Sequence, residues 1–156
     1  MLLVQSEECQ GSGDGVPGVT MRIIQKEFRV STRGRAEMVD ITGQVDAIVR
    51  QSGVANGSVI VYCPHTTAAI TINENADPSV VHDVLMALDK VLPRSDPDYR
   101  HSEGNSDAHC KSSLVGCSEQ VLIQDGRLTL GTWQAIYFCE FDGPRSRRVI
   151  VQVQGE

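Results

Sequence analysis

The 156-residue chain reads as a single α+β domain built on a largely antiparallel sheet, and three observations carry that expectation. The last third is strand-like throughout. QVLIQ-DG-RLTL is a hairpin signal, because Asp-Gly supplies the positive φ angles of a tight turn, and TWQAIYFCEFD and RRVIVQVQ follow as further strands. Strand-like runs flank the helical segments at both ends without βαβ alternation, which argues against a parallel sheet. Hydrophobic residues at 40% and charged residues at 22% are ordinary for a globular chain, and this length buries a core without staples.

The elements follow in order. Residues 1–18, rich in Gly, Ser and acidic side chains, read as a flexible leader, and 19–156 as the domain. TMRIIQKEFRV (20–30) is a strand of β-branched and alternating residues. Asp40 or Thr42 can cap a helix whose apolar positions Val45, Ile48 and Val49 follow helical spacing and which Gly53 can end. SVIVYCP (58–64) is a nearly continuous apolar run, hence a buried strand, and His65, Thr66 and Thr67 link it to a second, AAITIN (68–73). Asp77-Pro78 starts a helix with an acidic cap and proline in its first turn. Val80, Val81, Val84, Leu85 and Leu88 form its apolar face, and Pro93 closes it. A polar loop over 93–106 then leads to a short helix near Ser106 or Asp107.

Composition excludes some functions. A net charge of −6 argues against nucleic-acid binding, which needs an excess of Lys and Arg along the phosphate track. No stretch approaches the roughly 20 apolar residues of a membrane span. The apolar run Leu2–Val4 has no basic residues before it, so no secretory signal is read there. Five cysteines, an odd number without paired spacing, suit reduced thiols in a cytoplasm. Cys110 and Cys117 lie beside two histidines, but their spacing is too long for a structural zinc knuckle.

The residues that could carry chemistry are dispersed. Phosphate-loop, dinucleotide, zincin and nucleophile-elbow motifs are all absent. His65 lies where a strand ends, His101 in a Gly- and Ser-containing loop, and His109 near a helix start. Three imidazoles from separate segments could converge with an open fourth position, as in a catalytic metal site, or each could be a solvated histidine. His82 stands beside Asp83 at the margin of a helix face, and Asp83 could orient a liganding imidazole or complement the helix dipole. Capping explains Asp77 but not Glu74 and Asn75, which are candidates for direct substrate contact. Arg145 and Arg147 would share one face of the last strand, and could fork onto a phosphate or solvate a sheet edge.

Taken together, CPHTTAAITINENADPSVVHD (63–83), YRHSEGNSDAHCKSSLVGCS (99–118) and GRLTLGTWQAIYFCEFDGPRSRRVIV (126–151) resemble the YjbQ-like family, often labelled secondary thiamine-phosphate synthase. The resemblance covers nearly the whole chain from about residue 20. It implies a compact α+β domain with an antiparallel β-sandwich, assembled as a homotrimer. It also implies a transferase that joins hydroxymethylpyrimidine diphosphate to thiazole phosphate and releases pyrophosphate, perhaps best regarded as a side activity. The thiazole nitrogen displaces diphosphate from a benzyl-like carbon, a step helped by a divalent metal (zinc or magnesium) and by Arg or Lys at the leaving group. On this resemblance His65, His101 and His109 are the metal set, with Glu74, Asp83 and His82 as catalytic candidates. Asn75, Lys111, Trp133, Gln134, Arg145 and Arg147 are then the substrate and phosphate contacts. A metal-dependent hydrolase of a phosphorylated metabolite, or a non-catalytic metabolite-binding trimer, are the competing readings.

Overall fold

The computed structural model describes residues 20–156, so the leader expected at 1–18 lies outside the described residues. The element order is β1 (Arg22–Ser31), β2 (Glu37–Asp40), α1 (Thr42–Ser52), β3 (Gly57–Tyr62), β4 (Ala68–Glu74), α2 (Pro78–Val91), α3 (Ser106–Val115), β5 (Ser118–Gln124), β6 (Arg127–Leu128), β7 (Gln134–Glu140) and β8 (Ser146–Gly155). A five-stranded sheet runs β1-β8-β3-β5-β6 and a three-stranded sheet runs β2-β7-β4. Every strand pair is antiparallel, as the absence of βαβ alternation predicts.

Period-2 alternation builds the layers. On β7, Ile136 and Phe138 face the core between the sheets, while Ala135, Tyr137 and Cys139 face a second apolar cluster. From the other sheet Val149, Val151 and Val153 of β8 and Val59 and Val61 of β3 fill the same inter-sheet core. Helix α1 adds Val45, Ile48 and Val49 to it. On the far side of the three-stranded sheet, Ala108 of α3 and Val81, Leu85 and Leu88 of α2 pack on the second cluster. The apolar face expected for α2 is real, but none of its residues is fully buried.

The end signals act locally. Asp77 accepts the Ser79 N–H at 2.8 Å and Pro78 opens α2. Helix α1 ends at Gly53. At its start the Thr42 hydroxyl accepts the Ile136 N–H from β7 (2.9 Å), and it is Asp40 that accepts the Thr42 N–H at 2.8 Å. Asp125 and Gly126 both adopt positive φ, 51° and 71°, which closes the β5–β6 hairpin as the Asp-Gly pair predicts. Strand β2 went unread in the sequence, because four residues of Glu-Met-Val-Asp show too little alternation. Strands β3 and β4, joined only by residues 63–67, enter different sheets. That crossing sets His65 and Thr67 at one end of the sandwich.

Candidate functional site

The site residues fall at the two ends of the three-stranded sheet. Ala68 at the start of β4 pairs with Glu140, and Glu74 at its end pairs with Gln134. Seven residues of strand at about 3.3 Å each separate those ends by about 20 Å.

The first end, beneath α3, holds a buried ionic network. Glu140 is fully buried and faces Arg147, whose Nε and Nη2 both donate to its carboxylate at 2.7 and 2.6 Å. Arg147 Nη2 also reaches the Thr67 hydroxyl at 2.9 Å. The pair ties β7 to β8 across the mouth of the inter-sheet core, and the bidentate bond to Glu140 holds the guanidinium protonated. A second group centres on Asp142. Its Oδ1 accepts from Arg35 Nη1 (3.1 Å) and its Oδ2 from Arg145 Nη2 (2.8 Å) and Asn105 Nδ2 (3.1 Å). Burial would raise this carboxyl, but the bonds from Asn105 and Arg145 and the charges of Arg145 and Arg35 outweigh it and hold it below the usual range. Arg35 also bonds Asp107 at 2.9 Å, and Asp107 accepts from Lys111 at 3.0 Å.

This network needs a close approach of two loops. A Cβ on Gly143 would lie 2.3 Å from the Gly34 carbonyl oxygen, so only glycine lets the turn after β7 settle against residues 34–35. There Gly143 donates its N–H to the Arg35 carbonyl at 2.9 Å.

The histidines lie along the rim of this end. His101 and His109 meet edge to face with ring centroids 5.2 Å apart. His65 is held elsewhere: its Nε2 accepts the Arg148 backbone N–H at 2.9 Å, which fixes the ring neutral with its proton on Nδ1. Burial and the charge of Arg147 lower its pKa, against the opposing pull of that hydrogen bond.

The opposite end is open. Trp133 is 63% exposed, and its carbonyl accepts the Asn75 N–H at 3.0 Å. Asn75 donates its side-chain amide to Asp40 at 3.1 Å. That bond and those from Thr42 outweigh burial and keep the Asp40 carboxyl low. Gln134 Oε1 accepts the Gly131 N–H at 2.8 Å, and the Glu74 carbonyl accepts the Tyr137 hydroxyl at 3.2 Å. His82 and Asp83, joined at 3.1 Å, are exposed on α2 just beyond.

Several expectations change on this geometry. Among the described residues no three His, Cys, Asp or Glu side chains converge as a metal-holding group, so His65, His101 and His109 do not form one metal set within a chain. Only the last two meet, and taken alone the chain does not fit a self-contained metal centre. Lys111 does not face a phosphate: it is 5% exposed, with Nζ at 3.0 Å from both Asp107 and Asp89. Arg147 is likewise spent on Glu140. Arg145 precedes β8 and so does not share a strand face with it. It is 53% exposed on the Asp142 carboxylate and remains available to an anion.

Four structurally central residues were missed: Arg35, Asn105, Glu140 and Asp142. Asn105 is the N-cap of α3, yet its side chain bonds Asp142 instead of the helix, and its Oδ1 is the buried side-chain polar atom among the described residues without a partner. The Asn-x-x-x-x-x-Lys spacing into a helix hinted at a cap. Nothing in the sequence pointed to a partner 37 residues away.

Comparison with known proteins matches this architecture. A family model described as UPF0047 protein YjbQ-like matches residues 26–156. UPF0047 protein YugU of Bacillus subtilis is 52% identical over 130 residues, which is 83% of this chain and 98% of that protein. UPF0047 protein YjbQ of Escherichia coli O157:H7 is 34% identical over 136 residues, 85% of this chain and 98% of its own length. A YbjQ-like protein of unknown function from Sulfolobus solfataricus has a crystal structure that superposes with a TM-score of 0.84 at 34% identity, covering 87% of this chain and 99% of that one. An uncharacterised conserved protein from Clostridium acetobutylicum superposes at 0.81 with 55% identity, over 82% and 98%.

Proposed function

This chain belongs to the YjbQ-like UPF0047 family, and from that premise we propose that it is a transferase that joins hydroxymethylpyrimidine diphosphate to thiazole phosphate and releases pyrophosphate. The observation that carries the reading is the pair of guanidinium groups, Arg35 and Arg145, held on the single carboxylate of Asp142. Two cations share that one anion, and Arg145 stays half-exposed, so a preorganised positive charge faces solvent where a diphosphate can bind. The arrangement stabilises charge that grows on the departing diphosphate, which is what this displacement requires of a protein.

The His101–His109 pair adjoins that position along the first turn of α3, where the His109 N–H reaches the Asn105 carbonyl at 3.3 Å. A divalent ion, zinc or magnesium, shared between the two imidazoles and the diphosphate oxygens would add neutralising charge there. The buried Lys111 and Arg147 serve as the frame that holds the site and not as phosphate ligands. Glu74, Asn75, Trp133 and Gln134 stand about 20 Å from it within one chain. In a homotrimer they belong to a neighbouring copy's site or to none. Among the described residues no helix is long and apolar enough to cross a membrane, and the four described cysteines are free thiols, which suits a cytoplasmic enzyme.

The test is pyrophosphate release from the two precursors. Arg145→Ala should lower it at least tenfold with the fold retained. Unchanged release in Arg145→Ala overturns the assignment of the diphosphate position, and phosphate release from a single precursor favours a hydrolase instead.

A further inference from the structure

We propose that the outer face of the five-stranded sheet docks a second copy of this chain, and that the docked copy walls one side of the site at His65. A shallow depression on this face is lined by Gln25, Ile60, Tyr62, Ile150 and Gln152. The register explains why these residues gather: Gln25 lies opposite Gln152 of β8, and Ile60 and Tyr62 of β3 lie opposite Gln152 and Ile150. Alternation sends Val149, Val151 and Val153 inward, so the residues between them point away from the core.

The face is too apolar to be an ordinary solvated surface. Ile23, Tyr62 and Leu122 are 54%, 41% and 65% exposed on the three strands β1, β3 and β5. A solvated antiparallel face normally alternates to charged residues there. In a chain of net charge −6, none of the five lining residues is ionisable near neutral pH. Depletion of charge with an aromatic at the centre is the composition of an interface core.

The same composition selects a copy of this chain as the occupant. A charged face would repel its own image, whereas glutamine amides both donate and accept and can pair with one another. Charges appear only at the rim, where Arg148 and Glu27 pair at 3.3 Å. At about 3.3 Å per residue and 4.8 Å between strands, β1, β8, β3 and β5 present roughly 500 Å² of flat sheet. Side-chain relief raises that towards the roughly 800 Å² per partner of stable complexes.

The face also runs into the site. Past Tyr62 the chain turns through Cys63 and Pro64 to His65, whose ring accepts the Arg148 N–H at the rim. A docked copy therefore lies beside His65, on the side away from α3. This second half of the proposal rests on the site described above, and the first half does not.

The experiment uses the full chain. Sedimentation velocity from 1 to 100 µM should give a mass of at least two copies. Tyr62→Lys with Leu122→Lys should weaken assembly at least tenfold, with circular dichroism unchanged because both side chains point outward. Leu114→Lys, equally exposed but on α3, should leave the mass unaltered. In the dissociated variant the NMR signals of the His65 ring should move. A monomeric wild type, or a double variant that keeps the wild-type mass, overturns the docking surface. Dissociation with His65 signals unmoved overturns its place beside the site. Neither readout depends on turnover, so a failure of pyrophosphate release would count against the proposed reaction alone.

Discussion

The two ends of the three-stranded sheet are made from the same strands, β4 and β7, yet their polar residues have opposite fates. At the α3 end Glu140, Arg147, Asp107 and Lys111 are all buried and bonded to one another. At the other end Trp133, Gln134 and Asn75 are exposed, and their bonds are mostly to nearby backbone or to one carboxylate. The difference teaches that a cation in a suggestive motif is not thereby free to bind. Burial commits a charge to a partner, because an unpaired buried charge is too costly to keep. At the α3 end, the groups left over for a ligand are those on the edge of the network: Arg145, Arg35 and the two adjoining imidazoles.

The contrast can be broken most strongly at Glu140. Glu140→Ala leaves the Arg147 guanidinium buried without its anion and should cost about 3–5 kcal/mol in urea unfolding. Replacing both, as Glu140→Gln with Arg147→Met, should recover most of that loss. Lys111→Met should cost less, about 2 kcal/mol, because Asp107 keeps its bond to Arg35. If Lys111→Met instead kept full stability and lost ligand binding, the lysine would belong to the site after all and the contrast would fail. At the open end, Asn75→Ala removes one exposed hydrogen bond to Asp40 and should cost under about 1 kcal/mol in the same unfolding measurement.

The smallest effect is a pH dependence that should appear at the α3 end alone. The native His65 pKa is below its unfolded value, so the unfolded chain binds more protons in the interval between the two. Stability from His65 is therefore full above the ordinary histidine value of about 6.5 and declines as pH falls from there towards the depressed native value. Comparing unfolding midpoints at pH 7.5 and 5.5, as rough markers either side of that window, His65→Gln should show a flatter dependence than the wild type. An identical slope in the two proteins would remove His65 from the account.

Much of this architecture was readable one segment at a time. Gly53, Asp77-Pro78 and Asp125-Gly126 marked ends and turns because their chemistry acts within a few residues. The alternation in RRVIVQVQ and the apolar run in SVIVYCP placed two strands of the core. Site residues were harder. His101 and His109 stand eight residues apart and do meet, whereas His65 is drawn to a backbone amide 83 residues away. Lys111 looked like a phosphate ligand because its i−4 neighbour Asp107 was read as a helix start, not as its buried partner.

What the sequence determined by itself was the set of elements, their termini and the side of each strand that turns inward, since these follow from residue periods and short-range hydrogen bonds. What only the tertiary structure decided was the assignment of β3 and β4 to different sheets, and with it the division of the polar residues into a sealed network and an open end. The physical reason is range. Glu140 meets Thr32 across 108 residues and Arg145 meets Thr32 across 113, and no local pattern states which distant charge will share a buried position.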